Sequence, residues 1–291
     1  MFVFKAAVVG AGVMGGEIAQ VIASADIPVV LKDVDQEFVD KGLEKAREVT
    51  EGQTAKLVSK EKITQEQAGE QVERTLGLIT GTTSYEDFGD VDFAIEAVPE
   101  EMAVKHQVFA DLDAVTPGHA ILASNTSGLS ITEIGDVTQR PDKVVGFHFF
   151  WPASYMRLIE VIESEDTSPE TAQAAANFAQ AIRKMPVRCA ECPGFVVNRI
   201  LASTASEIWR YQDETQTDVK DVDKALTDAK LVPMGPFFLA DMSGLDTALK
   251  VARDMQDAYG DRFYVHKGME ELVEQGHFGQ KTGKGFYEHE S

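Results

Sequence analysis

One histidine and one mid-run glutamate stand out in the apolar stretch "VVGFHFFWPASYMRLIEVIE", residues 144–163. They are His148 and Glu160, and they lie in strands predicted at 143–149 and 158–162. If these strands fold back antiparallel, the centre of the connector lies midway between the two residues, so they face each other. Directly opposed side chains are about 4.5–5.5 Å apart at Cβ, within reach of a hydrogen bond. The pair is therefore either a general base with its orienting carboxylate or a satisfied structural pair.

A glycine-rich loop in "AAVVGAGVMGGEIAQVI" indicates a dinucleotide site. Gly10, Gly12 and Gly15 form G-x-G-x-x-G between a predicted buried strand and a helix, which is the context that the motif needs. The next predicted strand ends at Asp33, where a carboxylate can accept from a ribose 2′-hydroxyl and repel a 2′-phosphate, so NAD is favoured over NADP. Lys32 weakens this preference slightly, although strand alternation points it to the other face. A tight turn without a ligand is the alternative.

Other polar residues follow predicted strands or begin predicted helices. Glu100 and Lys105 lie near the carboxyl edge of the predicted sheet, where ligands of open α/β sheets bind, or they are solvated helix-start residues. Ser127 lies in a loop at the same edge, where its hydroxyl can contact a substrate oxygen, while Ser130 begins a capping box with Glu133. Asn198 is predicted about one turn into a helix, where asparagine is disfavoured without a partner.

The pattern of elements predicts an α/β fold followed by an all-helical domain. Apolar runs typical of buried strands alternate with helical patterns through about residue 190, as in a Rossmann-like, doubly wound parallel sheet. A helical hairpin over 36–76 is expected as an insertion. The expected domains are 1–188, which binds NAD, and 189–291, which binds substrate and mediates dimerisation. The strands are predicted near 4–9, 28–32, 91–96, 120–124, 143–149 and 158–162, and the later helices near 195–212, 218–229 and 237–258.

Composition excludes several classes of protein. The 291 residues carry a net charge of −21, which argues against nucleic acid or anionic membranes as partners. This acidity fits either an ordinary cytosolic enzyme or adaptation to high salt. No apolar run is long enough for a membrane helix, and the N-terminus lacks a signal-peptide pattern, so a cytoplasmic location is expected. Cys189 and Cys192 are expected to be reduced thiols, and no metal site is expected.

Seven motifs together resemble the 3-hydroxyacyl-CoA dehydrogenases, in order and over almost the whole chain: "VVGAGVMG", "SNTS", "GFHFFWP", "IEVIE", "PGFVVNRIL", "PMGPFFLADMSGLDT" and "GQKTGKGFY". The resemblance implies NAD-dependent, reversible oxidation of 3-hydroxyacyl-CoA, as in fatty acid β-oxidation or 3-hydroxybutyryl-CoA metabolism. It also implies a homodimer formed through the helical domain. His148 is then the catalytic base with Glu160 as its partner, and Ser127 and Asn198 contact the substrate oxygen. The implied cofactor contacts are Gly10, Gly12, Val13, Met14, Gly15, Asp33, Glu100, Lys105 and Asn125.

A coenzyme A substrate carries phosphates, which an acidic protein must meet with local cations. Lys56, Lys60 and Lys62 in the hairpin form the nearest cluster, or else they are an ordinary solvated face. Trp151 departs from the family, which usually has Asn at this position. It is expected to affect how the acyl or pantetheine part of the substrate is seated, unless it only packs the loop.

Two other functions remain open. A dehydrogenase of a free 3-hydroxy acid would need a cationic clamp for the carboxylate, and Arg157 is the only nearby candidate. A non-catalytic, crystallin-like NAD-binding protein is the second alternative. The presence of His148, Glu160, Ser127 and Asn198 together argues against it.

Overall fold

The protein falls into two compact units that divide between Glu191 and Cys192. The structure, a computed structural model, describes residues 2–289. The N-terminal unit contains β1 (Ala6–Val9), α1 (Val13–Ala23), β2 (Val29–Lys32), α2 (Gln36–Ser59), α3 (Gln65–Gly77), β3 (Ile79–Thr82), β4 (Phe93–Glu96), α4 (Met102–Val115), β5 (Ile121–Ser124), α5 (Ile131–Gly135), β6 (Val144–Phe149), β7 (Leu158–Glu163), α6 (Pro169–Ala181) and β8 (Met185–Ala190). The C-terminal unit contains α7 (Val197–Thr215), α8 (Val219–Asp228), α9 (Pro236–Ser243), α10 (Leu245–Tyr259) and α11 (Lys267–Glu274). Short 3₁₀ turns cover Glu86–Phe88, Pro141–Lys143, Gly260–Arg262 and Gln280–Thr282.

One eight-stranded sheet, in the order β3-β2-β1-β4-β5-β6-β7-β8, forms the N-terminal unit. The pairings from β3 to β6 are parallel, β6 and β7 are antiparallel, and β7 and β8 are parallel. From the central strand β1, the chain adds β2 and β3 toward one edge of the sheet. It then returns to the other side of β1 and adds β4 to β8 toward the opposite edge. This is the predicted doubly wound, Rossmann-like α/β fold, and its reversal point beside β1 is where such sheets bind ligands.

Two strands, β3 and β8, were not expected from the sequence, and both are edge strands. Strand β3 contains Gly81, where a β-carbon would come 2.6 Å from the Val39 side chain of α2. Strand β8 contains Pro186 and is mostly exposed. Proline is tolerated in an edge strand because such a strand pairs on one side only, so a missing N–H donor need not break the ladder. The expected domain boundary after residue 188 would fall inside β8, whereas the sheet unit extends to Glu191.

The predicted hairpin over 36–76 is formed by α2 and α3. Asp35 caps α2 by accepting from Glu37 N at 2.9 Å, and Thr64 and Gln67 form a capping box at the start of α3. Helix α2 packs closely on α1, where a β-carbon on Gly16 would lie 2.6 Å from Gly42 O. The hairpin is therefore anchored to the sheet unit through the first half of α2.

The C-terminal unit is helical, as predicted, and has its own core. Trp209, Phe237, Leu245, Leu249 and Met269 are buried together in it. No helix within residues 2–289 is long and apolar enough to cross a membrane.

Two buried aspartates hold the last segment of the C-terminal unit. Asp223 accepts from the backbone N–H groups of Phe237 and Phe238 at the start of α9, at 3.0 and 2.8 Å. Asp241 is fully buried and accepts from Phe286 N and Tyr287 N at 2.9 and 2.8 Å. Each carboxylate therefore satisfies backbone donors that would otherwise be buried without a partner.

His266 is a buried cap of α11. Its Nδ1 accepts from Met269 N at 3.0 Å, which leaves Nε2 to donate to Gln212 Oε1 at 2.7 Å. Burial lowers the pKa of His266, against a smaller opposite effect of the nearby Asp213 carboxylate. The neutral ring is therefore the form that the folded C-terminal unit requires.

We expect the stability of the C-terminal unit to fall as the pH drops below about 6.5, the ordinary pKa of histidine. Because the pKa of His266 is lowered in the folded state, the unfolded chain takes up this proton at higher pH, and protonation favours unfolding. Asn caps helices without titrating. Urea unfolding at pH 8.0 and 5.5 should therefore show a smaller loss of unfolding free energy for His266→Asn than for the wild type. Equal losses would contradict this role for His266.

Candidate active site

The glycine loop joins β1 to α1 in the geometry of a phosphate-binding turn. Gly10 has a φ of +102°, and a β-carbon there would come 2.5 Å from Ala97 O. A β-carbon on Gly15 would collide with Gly10 O, whereas one on Gly12 would meet nothing within 4 Å. Gly12 caps α1 without a side-chain hydrogen bond. The loop therefore offers an open backbone and a helix N-terminus to an anionic ligand.

Asp33, at the end of β2, is fixed beside this loop. One carboxylate oxygen accepts from Ala11 N at 2.7 Å and the other from Val34 N at 2.6 Å. Each oxygen has further lone pairs for a ligand hydroxyl. Lys32 is buried on the other face with Nζ 4.3 Å from the centre of the Tyr85 ring, as strand alternation predicts.

A buried lysine of α4 lies between Glu96, the last residue of β4, and Glu100, in the loop that follows β4. Lys105 Nζ is 2.7 Å from Glu96 Oε1 and 3.1 Å from Glu100 Oε2. Its side chain is 1% exposed and that of Glu96 is fully buried. Glu96 also accepts from Val98 N and from Ser124 Oγ, both at 2.7 Å. Glu96 was not expected from the sequence, because it lacks the spacing from the glycine loop that singles out Asp33.

Glu100 connects this lysine to the Ser127 loop. Its Oε1 accepts from Thr126 Oγ1 at 2.6 Å, from Ser127 N at 2.8 Å and from Ser127 Oγ at 3.2 Å. Burial acts to raise the pKa of Glu100, but the positive charge of Lys105 and the hydrogen bonds outweigh burial, so the pKa is lowered. Glu100 is therefore held as a carboxylate. It connects the ammonium group of Lys105 to the Ser127 loop.

His148 and Glu160 are opposed across β6 and β7, as the centre of the connector predicted. The register pairs them directly, and His148 Nδ1 lies 2.8 Å from Glu160 Oε2. His148 is 7% exposed and Glu160 is fully buried. If Nδ1 carries the proton donated to this carboxylate, Nε2 is left as the basic nitrogen. Asn125 Oδ1 accepts from Phe149 N at 2.9 Å, which ties the end of β6 to the loop after β5.

A second carboxylate, Glu191, holds the Ser127 loop from its other end. It is the last residue of the sheet unit and accepts from Ser130 Oγ at 2.5 Å and from Thr132 N and Oγ1, both at 2.9 Å. Ser130 Oγ accepts from Glu133 N at 3.2 Å, which is one of the two bonds of the expected capping box. Glu191 was not expected from the sequence, because its three bonds join residues about 60 positions apart.

The connector between β6 and β7 is pinned at several backbone atoms. Buried Lys184 donates to Ala153 O and, at 2.7 Å, to Met156 O, and burial lowers the pKa of its amino group. Ser154 donates through N and Oγ to Glu17 Oε2 at 3.0 and 3.1 Å. Trp151, by contrast, is 67% exposed. The connector therefore has a fixed path and presents a large aromatic side chain at its surface.

The other candidate residues lie on α1, on the hairpin and on α7. Lys56, Lys60 and Lys62 are exposed, and Lys56 Nζ is 5.9 Å from the centre of the Tyr155 ring in the connector. Val13 and Met14 begin α1. Asn198 is the second residue of α7, in the C-terminal unit, and is half-buried.

Neither thiols nor acids form a metal site in the described part of the chain. Cys189 and Cys192 are reduced thiols. Residues 2–289 contain no group of three or more His, Cys, Asp or Glu side chains that could hold a metal ion.

Comparison with known families accounts for nearly all of the chain. The family model described as 3-hydroxyacyl-CoA dehydrogenase, NAD binding domain, matches residues 5–192. The model of the 3-hydroxyacyl-CoA dehydrogenase C-terminal domain matches residues 194–289. The two matched regions meet within two residues of the division between the units.

Similar proteins include both separate enzymes and parts of larger ones. A 3-hydroxybutyryl-CoA dehydrogenase of Clostridioides difficile is 39% identical, over 98% of this chain and 99% of its own length. The fatty acid oxidation complex subunit alpha of a Psychrobacter species is 41% identical, over 98% of this chain but only 39% of its own length. The crystal structure of the (S)-3-hydroxybutyryl-CoA dehydrogenase PaaH1 from Ralstonia eutropha has a TM-score of 0.92 at 34% identity, with full coverage of both chains.

We expect Lys105→Met to destabilise the sheet unit by about 3–5 kcal/mol, because it leaves buried Glu96 charged without its partner. Adding Glu96→Gln should restore much of this loss. Urea unfolding of both single variants and the double variant measures the effect. Lys41→Met is the control, because the exposed pair of Lys41 with Glu37 contributes less than about 1 kcal/mol. A loss at Lys105 no larger than that at Lys41 would contradict the assignment.

Proposed function

The chain belongs to the 3-hydroxyacyl-CoA dehydrogenase family, and we propose that it oxidises 3-hydroxyacyl-CoA to 3-ketoacyl-CoA reversibly, with NAD as the cofactor. The His148–Glu160 pair carries the proposal. A histidine 7% exposed, with a fully buried carboxylate on its Nδ1, is built to accept a proton at Nε2. It lies on the same sheet as the glycine loop of the NAD-binding domain.

In the proposed mechanism His148 Nε2 takes the proton from the substrate 3-hydroxyl. Bound NAD supplies the acceptor for the hydride that leaves C3. Glu160 stabilises the imidazolium that forms and holds the ring in its orientation, as carboxylates do for catalytic histidines. In the opposite direction the imidazolium returns its proton to the oxygen of a 3-ketoacyl group. Ser127 and Asn198 are proposed to contact that oxygen.

The cofactor would be held by the glycine loop and by carboxylates. The open β-carbon position of Gly12 leaves room for a pyrophosphate against the start of α1 at Val13 and Met14. Asp33 would accept from a ribose hydroxyl and disfavour NADP. Glu100, oriented by Lys105, and Asn125 are proposed to lie along the remainder of the cofactor.

The free 3-hydroxy acid alternative loses its candidate clamp. Arg157 lines a separate hollow with Gln20 and Arg183, and neither His148 nor Glu160 lines that hollow. A crystallin-like, non-catalytic role would give no reason to keep a buried His–Glu pair beside a pinned connector. Lys56 and Lys60 remain the proposed contacts of the coenzyme A phosphates.

We also propose that the helical unit forms a homodimer. Large apolar side chains are exposed on it, among them Ile200, Leu201, Tyr211, Leu231 and Leu239. Such exposure is typical of an interface. A monomeric mass by sedimentation would contradict the dimer. The cytoplasmic location expected from the N-terminal sequence stays a prediction.

The direct test of the function is NADH oxidation with 3-ketoacyl-CoA thioesters, compared with the corresponding free acids and with NADPH. Turnover of the thioesters with NADH, and little with NADPH or the free acids, is expected. Efficient turnover of free acids would favour the alternative dehydrogenase. No turnover of any substrate would favour a non-catalytic protein.

We expect His148→Gln to lower kcat by roughly 10²- to 10⁴-fold, because a general base contributes about this much, while NADH affinity stays nearly constant. Glu160→Gln should also lower kcat, and the two losses should not multiply, because the residues act as a unit. Glu163→Gln, at the end of the same strand, is the matched control. A fully active Glu160→Gln enzyme would show that the pair is structural.

We expect Trp151→Asn to change the ratio of kcat/KM values between short and long acyl chains, because an exposed indole offers apolar surface that an amide lacks. The pH profile of kcat should not change, because the His148–Glu160 pair is untouched. Trp151→Phe, which keeps an aromatic ring, is the control. An equal change at all chain lengths would assign Trp151 to the loop scaffold.

A further inference from the structure

An open hollow of about 300 Å³ lies on the sheet unit, lined by parts of α1, α2, the connector and the segment after α6. We call it the arginine hollow. Its polar walls include Gln20, Gln53, Ser154, Arg157, Arg183 and Lys184. None of the residues assigned above to the chemical step lines it.

The arginine hollow presents cations on a strongly acidic protein. Arg157 and Arg183 are exposed, and neither forms an ion pair with a carboxylate anywhere within residues 2–289. Lys184 is instead bonded to two carbonyl groups, and Glu17 is engaged by Ser154. With a net charge of −21, arginines that face a hollow without carboxylate partners favour an anionic ligand, which guanidinium groups bind through paired N–H donors.

The backbone at Arg183, just after α6, is left-handed, with a φ of +63°. Five other non-glycine residues within residues 2–289 share such a conformation. A substitution at position 183 must therefore tolerate a left-handed backbone.

The wall at Gln20 is held by hydrogen bonds within the chain. Gln20 Nε2 donates to Ser24 Oγ at 2.9 Å and to Gln53 Oε1 at 3.2 Å. The second of these bonds ties α1 to α2 beside the hollow.

A further cation lies beside the same connector. Lys56 Nζ is 5.9 Å from the centre of the Tyr155 ring, and Tyr155 lines the hollow. Of the hairpin lysines that were proposed to meet coenzyme A, Lys56 therefore lies next to the arginine hollow.

We propose that the arginine hollow binds a phosphoryl group of a nucleotide-type ligand through Arg157 and Arg183. Two ligands have this chemistry. One is the phosphoadenosine end of coenzyme A, a source that rests on the proposed function. The other is a free phosphorylated nucleotide.

The test uses Arg157→Gln, Arg183→Asn and the double variant of the full chain. Asn tolerates the left-handed backbone at position 183, so neither exchange adds strain. Arg47→Gln is the control, because it removes one positive charge from α2 outside the hollow.

KM and kcat are measured with acetoacetyl-CoA and with acetoacetyl-pantetheine, which has no phosphate. Binding of 3′,5′-ADP is measured by calorimetry with saturating NADH present, so that the dinucleotide site is filled.

If the ligand is coenzyme A, each arginine variant should raise KM for acetoacetyl-CoA about tenfold, as expected for a lost charged hydrogen bond. The kcat and the KM for acetoacetyl-pantetheine should not change, and Arg47→Gln should resemble the wild type. Loss of 3′,5′-ADP binding with unchanged KM for both thioesters would identify a free nucleotide as the ligand. If neither KM nor 3′,5′-ADP binding responds, the proposal is overturned.

The calorimetric arm does not depend on catalysis. If the wild type turned over neither thioester, the proposed dehydrogenase function would fail. The 3′,5′-ADP titration would still decide whether the arginine hollow binds phosphate.

Discussion

The antiparallel pairing of β6 with β7 is the constraint on which the rest of the site depends. In a sheet that is otherwise parallel in its pairings, this reversal sets Glu160 directly against His148. A shift of one residue in register would send the carboxylate to the opposite face and leave a buried histidine without a partner. The connector must therefore hold its path, and Glu17 and Lys184 bond it at Ser154, Ala153 and Met156.

Carboxylates fix the remaining parts of the site through hydrogen bonds and ion pairs. Glu96 holds Lys105, Lys105 holds Glu100, and Glu100 holds the Ser127 loop. Glu191 holds the far end of the same loop. Buried charges are costly unless they are paired and hydrogen-bonded, and here each one is. The protein thus uses part of its large excess of acids as rigid acceptors, while Arg157 and Arg183 line a hollow where an anion could bind.

Much of this arrangement could be predicted from local pattern. The glycine spacing, the strand before it and the acid after the next strand predicted the dinucleotide loop, because each of those features is local. The pairing of His148 with Glu160 was also predictable, because a short connector between two apolar runs fixes the register by symmetry. Edge strands β3 and β8 were missed, since Gly81 and Pro186 weaken the strand pattern and their pairing is decided by neighbours far along the chain.

The sequence by itself determined the fold class, the family and the pairing of His148 with Glu160, because these depend on periodicity and on residues close together along the chain. Only the tertiary structure decided which other acids hold the site together. Glu96 and Glu191 are ordinary acids in the sequence. Glu96 bonds to partners 9 and 28 residues away, and Glu191 bonds to partners about 60 residues away. Arg157 was a candidate clamp near this pair until folding placed it with Arg183 around another hollow. These placements depend on long-range packing, which no local pattern encodes.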